Sequence, residues 1–184
     1  MNINNLLVKI KLLRLGHRIH RDHRTTTHCA LVARAFGTSE MYYCGNEDDS
    51  LISSIEKVNE SWGGDSNVTY VKSWKSFVNK CKKDGNFIIL CTMYGKNIPD
   101  IEINLRSIFK DRDIVIIIGS EKIPPELINL SDINVAISNQ PHSEVAALAI
   151  LLDRLFQGKQ LNLKFTNSKL NIVPQEKGKS IYKL

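Results

Sequence analysis

The chain of 184 residues lacks several features that would point to a function outright. It holds four cysteines, Cys29, Cys44, Cys81 and Cys91, and no two of them form a CxxC pair. That spacing offers neither a zinc knuckle nor a dithiol redox motif, so reduced, partly buried thiols are expected. No run approaches the roughly 18 apolar residues that cross a membrane. The first residues, MNINNLLVKIKLL, lack the continuous apolar core and small-residue cleavage site of a signal peptide, and the chain is expected in the cytosol. There is no Gly-x-Gly-x-x-Gly fingerprint and no Walker loop, so two common nucleotide-binding signatures are missing. Repeats and low-complexity segments are also lacking.

What is present is a regular alternation of strand-like and helix-like segments. Short apolar, β-branched runs over 8–15, 41–44, 68–71, 87–91, 114–118 and 133–137 read as strands. Between them, apolar residues at helical spacing mark helices over 25–36, 50–62, 73–83, 101–109 and 145–156. The run 114–118, IVIII, reads as a strand buried on both faces of a parallel sheet. The order predicts an α/β fold, a doubly wound and mostly parallel sheet with helices on both faces. The length and a 42% hydrophobic content suit one such domain. It is placed at 1–157, followed by a basic C-terminal extension over 158–184. Two alternating pieces there, 161–165 and 169–173, are compatible with a β-hairpin.

Charge is unevenly spread along a chain of net charge +6. Residues 1–40 hold seven Lys/Arg against Asp22 and Glu40, and residues 157–184 hold six Lys against Glu176. Residues 41–156 are net acidic, with twelve basic and sixteen acidic side chains. Basic ends on a near-neutral body predict a polyanion partner, nucleic acid first of all. Lysine tails that only aid solubility are the plain alternative.

The densest basic stretch, 14–24, reads as strand end and polar loop. Its Arg14, Arg18, Arg21 and Arg24 suit phosphate oxygens, which guanidinium forks bind bidentately. His17, His20 and His23 recur at steps of three. Among arginines, and with Asp22 as the one carboxylate nearby, they make a poor cation site, and no metal is expected. Arg34 stands apart, inside an otherwise apolar helix. It needs a structural partner or an opening, because unpaired burial is costly.

Three polar loops, 92–95, 119–123 and 138–144, open at strand ends, and the last leads directly into a helix. In α/β sheets ligands bind outside the carboxyl ends of strands, where loops and helix N-termini present free N–H groups. The residues thus predict a small-molecule site near 119–143 and an RNA or DNA surface. They leave the reaction open between an enzyme, a non-catalytic RNA-binding dimer and a flavodoxin-like nucleotide or flavin protein.

More specific is a set of motifs. In order they are Arg14-Leu-Gly-His-Arg18, Arg21-Asp22, Arg24, Thr26-Thr27-His28 and Ala33-Arg34-Ala35-Phe36-Gly37. They continue with Thr92-Met93-Tyr94-Gly95, Gly119-x-Glu121-Lys122 and Asn139-Gln140-Pro141-His142-Ser143-Glu144-Val145-Ala146. This set resembles the archaeal tRNA (cytidine-56) 2′-O-methyltransferases, a family of the SPOUT class, over nearly the whole chain. The resemblance implies a deep C-terminal trefoil knot, an exception to the rule against knotted chains. It also implies a homodimer, and S-adenosylmethionine as methyl donor with no metal.

By the same resemblance the cofactor pocket comprises Cys91, the loop Gly119, Ser120, Glu121, Lys122 and Ile123, and the loop Ile137, Ser138, Asn139, Gln140, Pro141, His142, Ser143 and Glu144. Contact with the T-arm of tRNA falls to Arg14, Arg18, Arg21 and Arg24, extended by the lysine-rich tail. Catalysis falls to Arg34, with His28 in the place of an asparagine six residues earlier, and to Ser143 beside the methyl-transfer centre. Arg34 is expected to hold a phosphate and stabilise the developing 2′-alkoxide, since its pKa is too high for a base. Ser143 also suits the N-cap of the helix that follows. That helix is expected to bury itself in the dimer, although plain core would explain it equally. Cys91, usually leucine in the family, and Ser120 and Ser138, usually smaller, depart from the pattern and bear on pocket detail.

Overall fold

The computed structural model describes residues 9–119 and 122–183. The expected first strand reaches one residue, Val8, outside them. Six strands form one parallel sheet: β1 (Ile10–His17), β2 (Glu40–Gly45), β3 (Asn67–Tyr70), β4 (Phe87–Asn97), β5 (Ile114–Gly119) and β6 (Ile133–Ala136). Their order is β3-β2-β1-β5-β4-β6, with every neighbouring pair parallel.

The period-2 pattern of the strands sorts side chains onto two faces. Ile10 and Leu12 of β1 join one apolar cluster with α1 (Ile19–Ala35), α2 (Asp49–Trp62), α4 (Ile98–Asp111) and α6 (Glu144–Phe156). Leu13 and Leu15 join the other, with α3 (Trp74–Lys83) and α5 (Pro125–Leu130). The sheet is therefore doubly wound, as the alternation implies. Ile114, Val115, Ile116, Ile117 and Ile118 of β5 are all buried, as a strand covered on both sides requires.

Several boundaries differ from expectation. The stretch 16–24 is mostly not a loop: α1 begins at Ile19 and takes in His20 to Arg24. Asp22 in its first turn accepts from Arg18 Nε at 2.8 Å, and a carboxylate there suits the positive end of the helix dipole. Thr26 and Thr27, expected at the cap, bond back to the carbonyls of Asp22 and His23 instead.

β4 runs on through the expected loop 92–95. Cys91 and Lys96 both face Val135, so the four residues between them form a bulge. The short α5, opening on Pro125, was not expected. Helix α6 packs Leu148, Leu151, Leu152, Leu155 and Phe156 into its own chain's core and leaves Ile150 exposed. Most of its apolar surface is thus spent as core.

The C-terminal extension pairs β7 (Leu170–Ile172) antiparallel with β8 (Ile181–Lys183). The earlier piece, 161–165, is not a strand; its first two residues belong to a 3₁₀ turn over Lys159–Asn162. The extension leans on the end of α2, where Lys169 N–H donates to the Ser61 carbonyl and Gly64 N–H to that of Thr166.

Gly95 closes the β4 bulge against β6. A Cβ there would stand 2.5 Å from the carbonyl carbon and oxygen of Asn134, backbone that cannot yield cheaply. Gly95→Ala is expected to cost about 2–3 kcal/mol of stability. Urea denaturation, with an unchanged slope and a lower midpoint, is the check.

Candidate active site

The chain's parallel topology places the carboxyl ends of β4, β5 and β6 side by side, and a cavity of about 570 Å³ opens there. That volume lies within the range of small-molecule sites. Of the residues expected at the site, Cys91, Gly119, Lys122, Ile123, Ile137, Gln140, Pro141, His142 and Glu144 line it. Ser120 and Glu121 lie outside the described residues. Ser138, Asn139 and Ser143 are not in its wall. Asn139 Nδ2 donates to the carbonyls of Met93 (2.7 Å) and Gly95 (3.3 Å), and its Oδ1 accepts from Asn97 Nδ2 at 2.6 Å. That clamps the β6–α6 loop to the β4 bulge. Ser143 caps α6, its Oγ accepting from Val145 N–H at 3.2 Å.

Thr92, Met93 and Tyr94 of the expected strand-end loop 92–95 and Pro125 also line it. The remaining wall comes from Ile118, Ile128, Val135 and Ala147, residues whose sequence context gives no sign of a cavity. Their apolar side chains look the same in a sequence whether they face a core or a cavity. Tyr94 is an aromatic side chain 85% exposed at the cavity's edge. The Cys91 thiol is pushed up to about 12 by burial and is neutral, so it serves as wall and not as nucleophile.

Arg14 does not belong to a surface loop. It lies on β1 with its side chain fully buried, and its Nη2 meets Glu144 Oε1 at 3.2 Å. Its expected contact with RNA is corrected accordingly: a guanidinium sealed between β1 and the start of α6 cannot reach a phosphate. Arg18 is partly buried and paired with Asp22. Arg21 and Arg24, on the first turns of α1, are exposed. Of the four, these two have the placement expected for RNA contact.

The histidines meet a carboxylate after all, brought from 25 or more residues away. Asp48, the N-cap of α2, accepts from Ser50 and Leu51 N–H through Oδ1, and its Oδ2 lies 3.1 Å from His17 Nε2 and 2.9 Å from His23 Nδ1. Burial pushes the Asp48 carboxyl up, but the hydrogen bonds from Ser50, His23, His17 and Leu51 outweigh it and hold it below the usual range. For His17 burial wins: it lowers the imidazole despite the Asp48 hydrogen bond. Among the described residues no group of three His, Cys, Asp or Glu is arranged to hold a metal ion.

Arg34 lies in the last turn of α1, a helix about 25 Å long that runs back from the carboxyl ends of the strands. It is therefore at the amino-terminal ends of the strands, opposite the cavity. Its Nε donates to Asn59 Oδ1 at 3.0 Å, its Nη2 to the Gly63 carbonyl, and its guanidinium stacks 4.3 Å from the Phe165 ring centroid. Within one chain the structure does not bring Arg34 to the cavity. It places it as a tie between α1, the end of α2 and the C-terminal extension. His28 is exposed on α1 and is likewise no part of the cavity wall.

Three comparisons bear on this arrangement. The family model of a tRNA ribose 2′-O-methyltransferase, aTrm56, matches residues 62–182. The tRNA (cytidine(56)-2′-O)-methyltransferase of Methanopyrus kandleri is 46% identical over 173 residues, covering 94% of this chain and 96% of that one. Among solved structures, the TrmH/SpoU tRNA modifying enzyme of A. aeolicus superposes with a TM-score of 0.61 at 12% identity, covering 86% of this chain and 80% of that one. The SpoU methyltransferase AviRb of Streptomyces viridochromogenes, in complex with AdoMet, gives 0.59 at 13% identity, covering 83% of this chain and 58% of that one. At such identities the last two show a shared fold.

Two outcomes are expected from these contacts. Removing the Arg34 guanidinium leaves the Gly63 carbonyl and Asn59 without their donor, so Arg34→Ala is expected to lower stability by about 2–4 kcal/mol. An unchanged denaturation midpoint with lost activity would instead give Arg34 a catalytic role. The second concerns pH. Because the folded state lowers His17, its contribution is present above about pH 6.5 and is lost as pH falls through that value. Asp48, also lowered, adds a loss only below about pH 4. Stability measured by denaturant should therefore decline from pH 7 to 5, and less steeply in His17→Gln.

Proposed function

This chain belongs to the aTrm56 family of tRNA ribose 2′-O-methyltransferases, and from that premise we propose how its own residues perform the reaction. The chain is a tRNA (cytidine-56) 2′-O-methyltransferase, and S-adenosylmethionine, the ligand held by the AviRb structure, is the methyl donor we assign to it. One observation carries the reading: the cavity at the ends of β4, β5 and β6, with an apolar wall and a single pair of opposite charges. Among its described lining residues only Lys122 is a cation and only Glu144 an anion, with His142 as a titratable neighbour. A methyl donor with an adenosyl body, a carboxylate and two cationic centres fits that set.

The bound donor supplies an electrophilic methyl group on a sulfonium. The protein's part is placement. Met93, Ile118, Ile123 and Ile137 form the dry wall for the adenosyl part, and backbone groups of the 119 and 137–142 loops hold its polar edge. Lys122 takes the methionyl carboxylate. Ser143 fixes the start of α6, and with it the orientation of His142 and Glu144, beside the transfer centre. The 2′-oxygen would gain the methyl carbon as the donor's carbon–sulfur bond breaks, with the hydroxyl proton passing to water and the sulfur leaving neutral, and holding oxygen and methyl in line would supply much of the rate. No step is assigned to a metal.

Arg21 and Arg24 form the phosphate contact, extended by the lysines of the extension over 158–184, which we treat as an appendage to the domain 1–157. Tyr94, on the clamped bulge at the cavity mouth, is placed to stack on an unstacked base of the T-arm. A homodimer is assigned on family grounds, supported by the apolar Ile103 of α4 and Ile150 of α6, which one chain leaves exposed. A knot is assigned likewise. It is supported by β6, which follows β5 in sequence but pairs on the far side of β4.

The test is methyl transfer from labelled S-adenosylmethionine to an unmodified tRNA transcript, with the product nucleotide mapped. The expected product is 2′-O-methylcytidine at position 56. Arg21→Ala and Arg24→Ala are expected each to raise the tRNA KM several-fold and to reduce the salt slope of binding by about one. Absence of transfer by folded enzyme would sink the proposal.

A further inference from the structure

Arg14 is the largest fully buried side chain of the described residues, and it is incompletely partnered. Its Nη2 meets Glu144 Oε1 at 3.2 Å, while Nε and Nη1 have no hydrogen-bond partner. A buried guanidinium in this state is costly, so it calls for an explanation. The other groups near it offer it little charge. The Cys29 thiol is pushed up to about 12 by burial and is neutral. Asp22 is engaged by Arg18, and His17 is bound to Asp48. The one carboxylate that Arg14 touches is Glu144, the first residue of α6, whose side chain is 21% exposed and lines the cavity.

Glu144 is thus gripped from beneath through one oxygen, Oε1, and its Oε2 remains for the cavity. It also stands in the first turn of a helix whose free N–H groups favour an anion. We propose that Arg14 and Glu144 form a buried positioning pair, in which Arg14 holds the Glu144 carboxylate beside the position of the donor's sulfonium. The inference rests on the cofactor reading above and adds to it a basis for telling donor from product. S-adenosylmethionine carries a positive sulfur that S-adenosylhomocysteine has lost, while the amino and carboxyl groups are common to both. A carboxylate held at the sulfur, at the interior edge of the cavity, favours the charged donor and lets the neutral product go. The methionyl ammonium would in that case be left to solvent and would need no buried counterion.

The experiment is calorimetric binding of three probes to the full chain: S-adenosylmethionine, S-adenosylhomocysteine and sinefungin, which bears an amine cation in place of the sulfonium. Glu144→Gln is expected to weaken S-adenosylmethionine and sinefungin by about tenfold, the scale of one charge-assisted contact, and S-adenosylhomocysteine by less than about twofold. Arg14→Met should shift the same ratio in the same direction, since Glu144 loses its anchor. Should Arg14→Met fail to fold, Glu144→Gln alone decides. Equal losses for all three probes would place Glu144 at the shared ammonium and overturn the proposal, as would no loss at all. If the wild-type protein binds none of the three, the cofactor reading itself fails and this inference falls with it.

Discussion

Burial of the central strands on both faces is the constraint from which the rest follows. β1 and β5 lie between two helical layers, so their backbone groups can be satisfied only by neighbouring strands along their length. Nothing polar can be offered from the middle of such a sheet. Free N–H groups, helix N-termini and irregular backbone collect at the carboxyl ends, and a ligand that needs them must bind there. The same side chains that finish the core, Ile118 of β5 and Val135 of β6, become the floor of the cavity. Core and site are continuous.

The turn from β1 into α1 obeys a second requirement. It carries arginines and histidines into a place where the next strand and helix close over them. Asp48 resolves this by receiving five donors from three elements: His17 at the end of β1, His23 on α1, and the Ser50 N–H and hydroxyl and the Leu51 N–H at the start of α2. One carboxylate thereby joins β1, α1 and α2. Arg18 and Asp22 settle the first turn of α1 locally. Buried polar networks of this kind are strong when complete and costly when broken. The deep lowering of Asp48 reflects how many donors it holds.

Much of the fold was legible because its signals are local. The apolar run 114–118, the helix at 50–62 and the strand-end loops at 119 and 137–144 depend on periodicity and on the rule that parallel sheets bind ligands at their carboxyl ends. What was not legible depends on partners distant in sequence. Nothing near Arg14 announces Glu144, 130 residues on, and nothing near Arg34 announces Asn59 or Phe165. A charged run reads as solvated until another element is laid over it. The limits of α1 were missed for the same reason, since threonines that suit a cap bond back into a helix already formed. The apolar wall of the cavity had no signal of its own.

The arginines show what charge counting leaves out. Of the basic residues in 1–40 that composition credits to a polyanion surface, Arg14 is spent under the cavity, Arg34 is spent under the C-terminal extension, and Arg18 is paired with Asp22. Arg21 and Arg24 are the arginines of α1 that remain exposed. The exposed positive charge of this stretch is therefore smaller than a count of its basic residues suggests, and phosphate contacts position a nucleic acid without selecting a nucleotide. At the cavity mouth the clamped bulge presents Tyr94, fixed by Asn139 from one side and by the fit of Gly95 against Asn134 from the other. These contacts hold the backbone on either side of Tyr94 and so set where its exposed ring stands beside the cavity. Buried arginines that shape the scaffold and a few exposed ones left free for a polyanion are a division that burial, and not residue type, establishes.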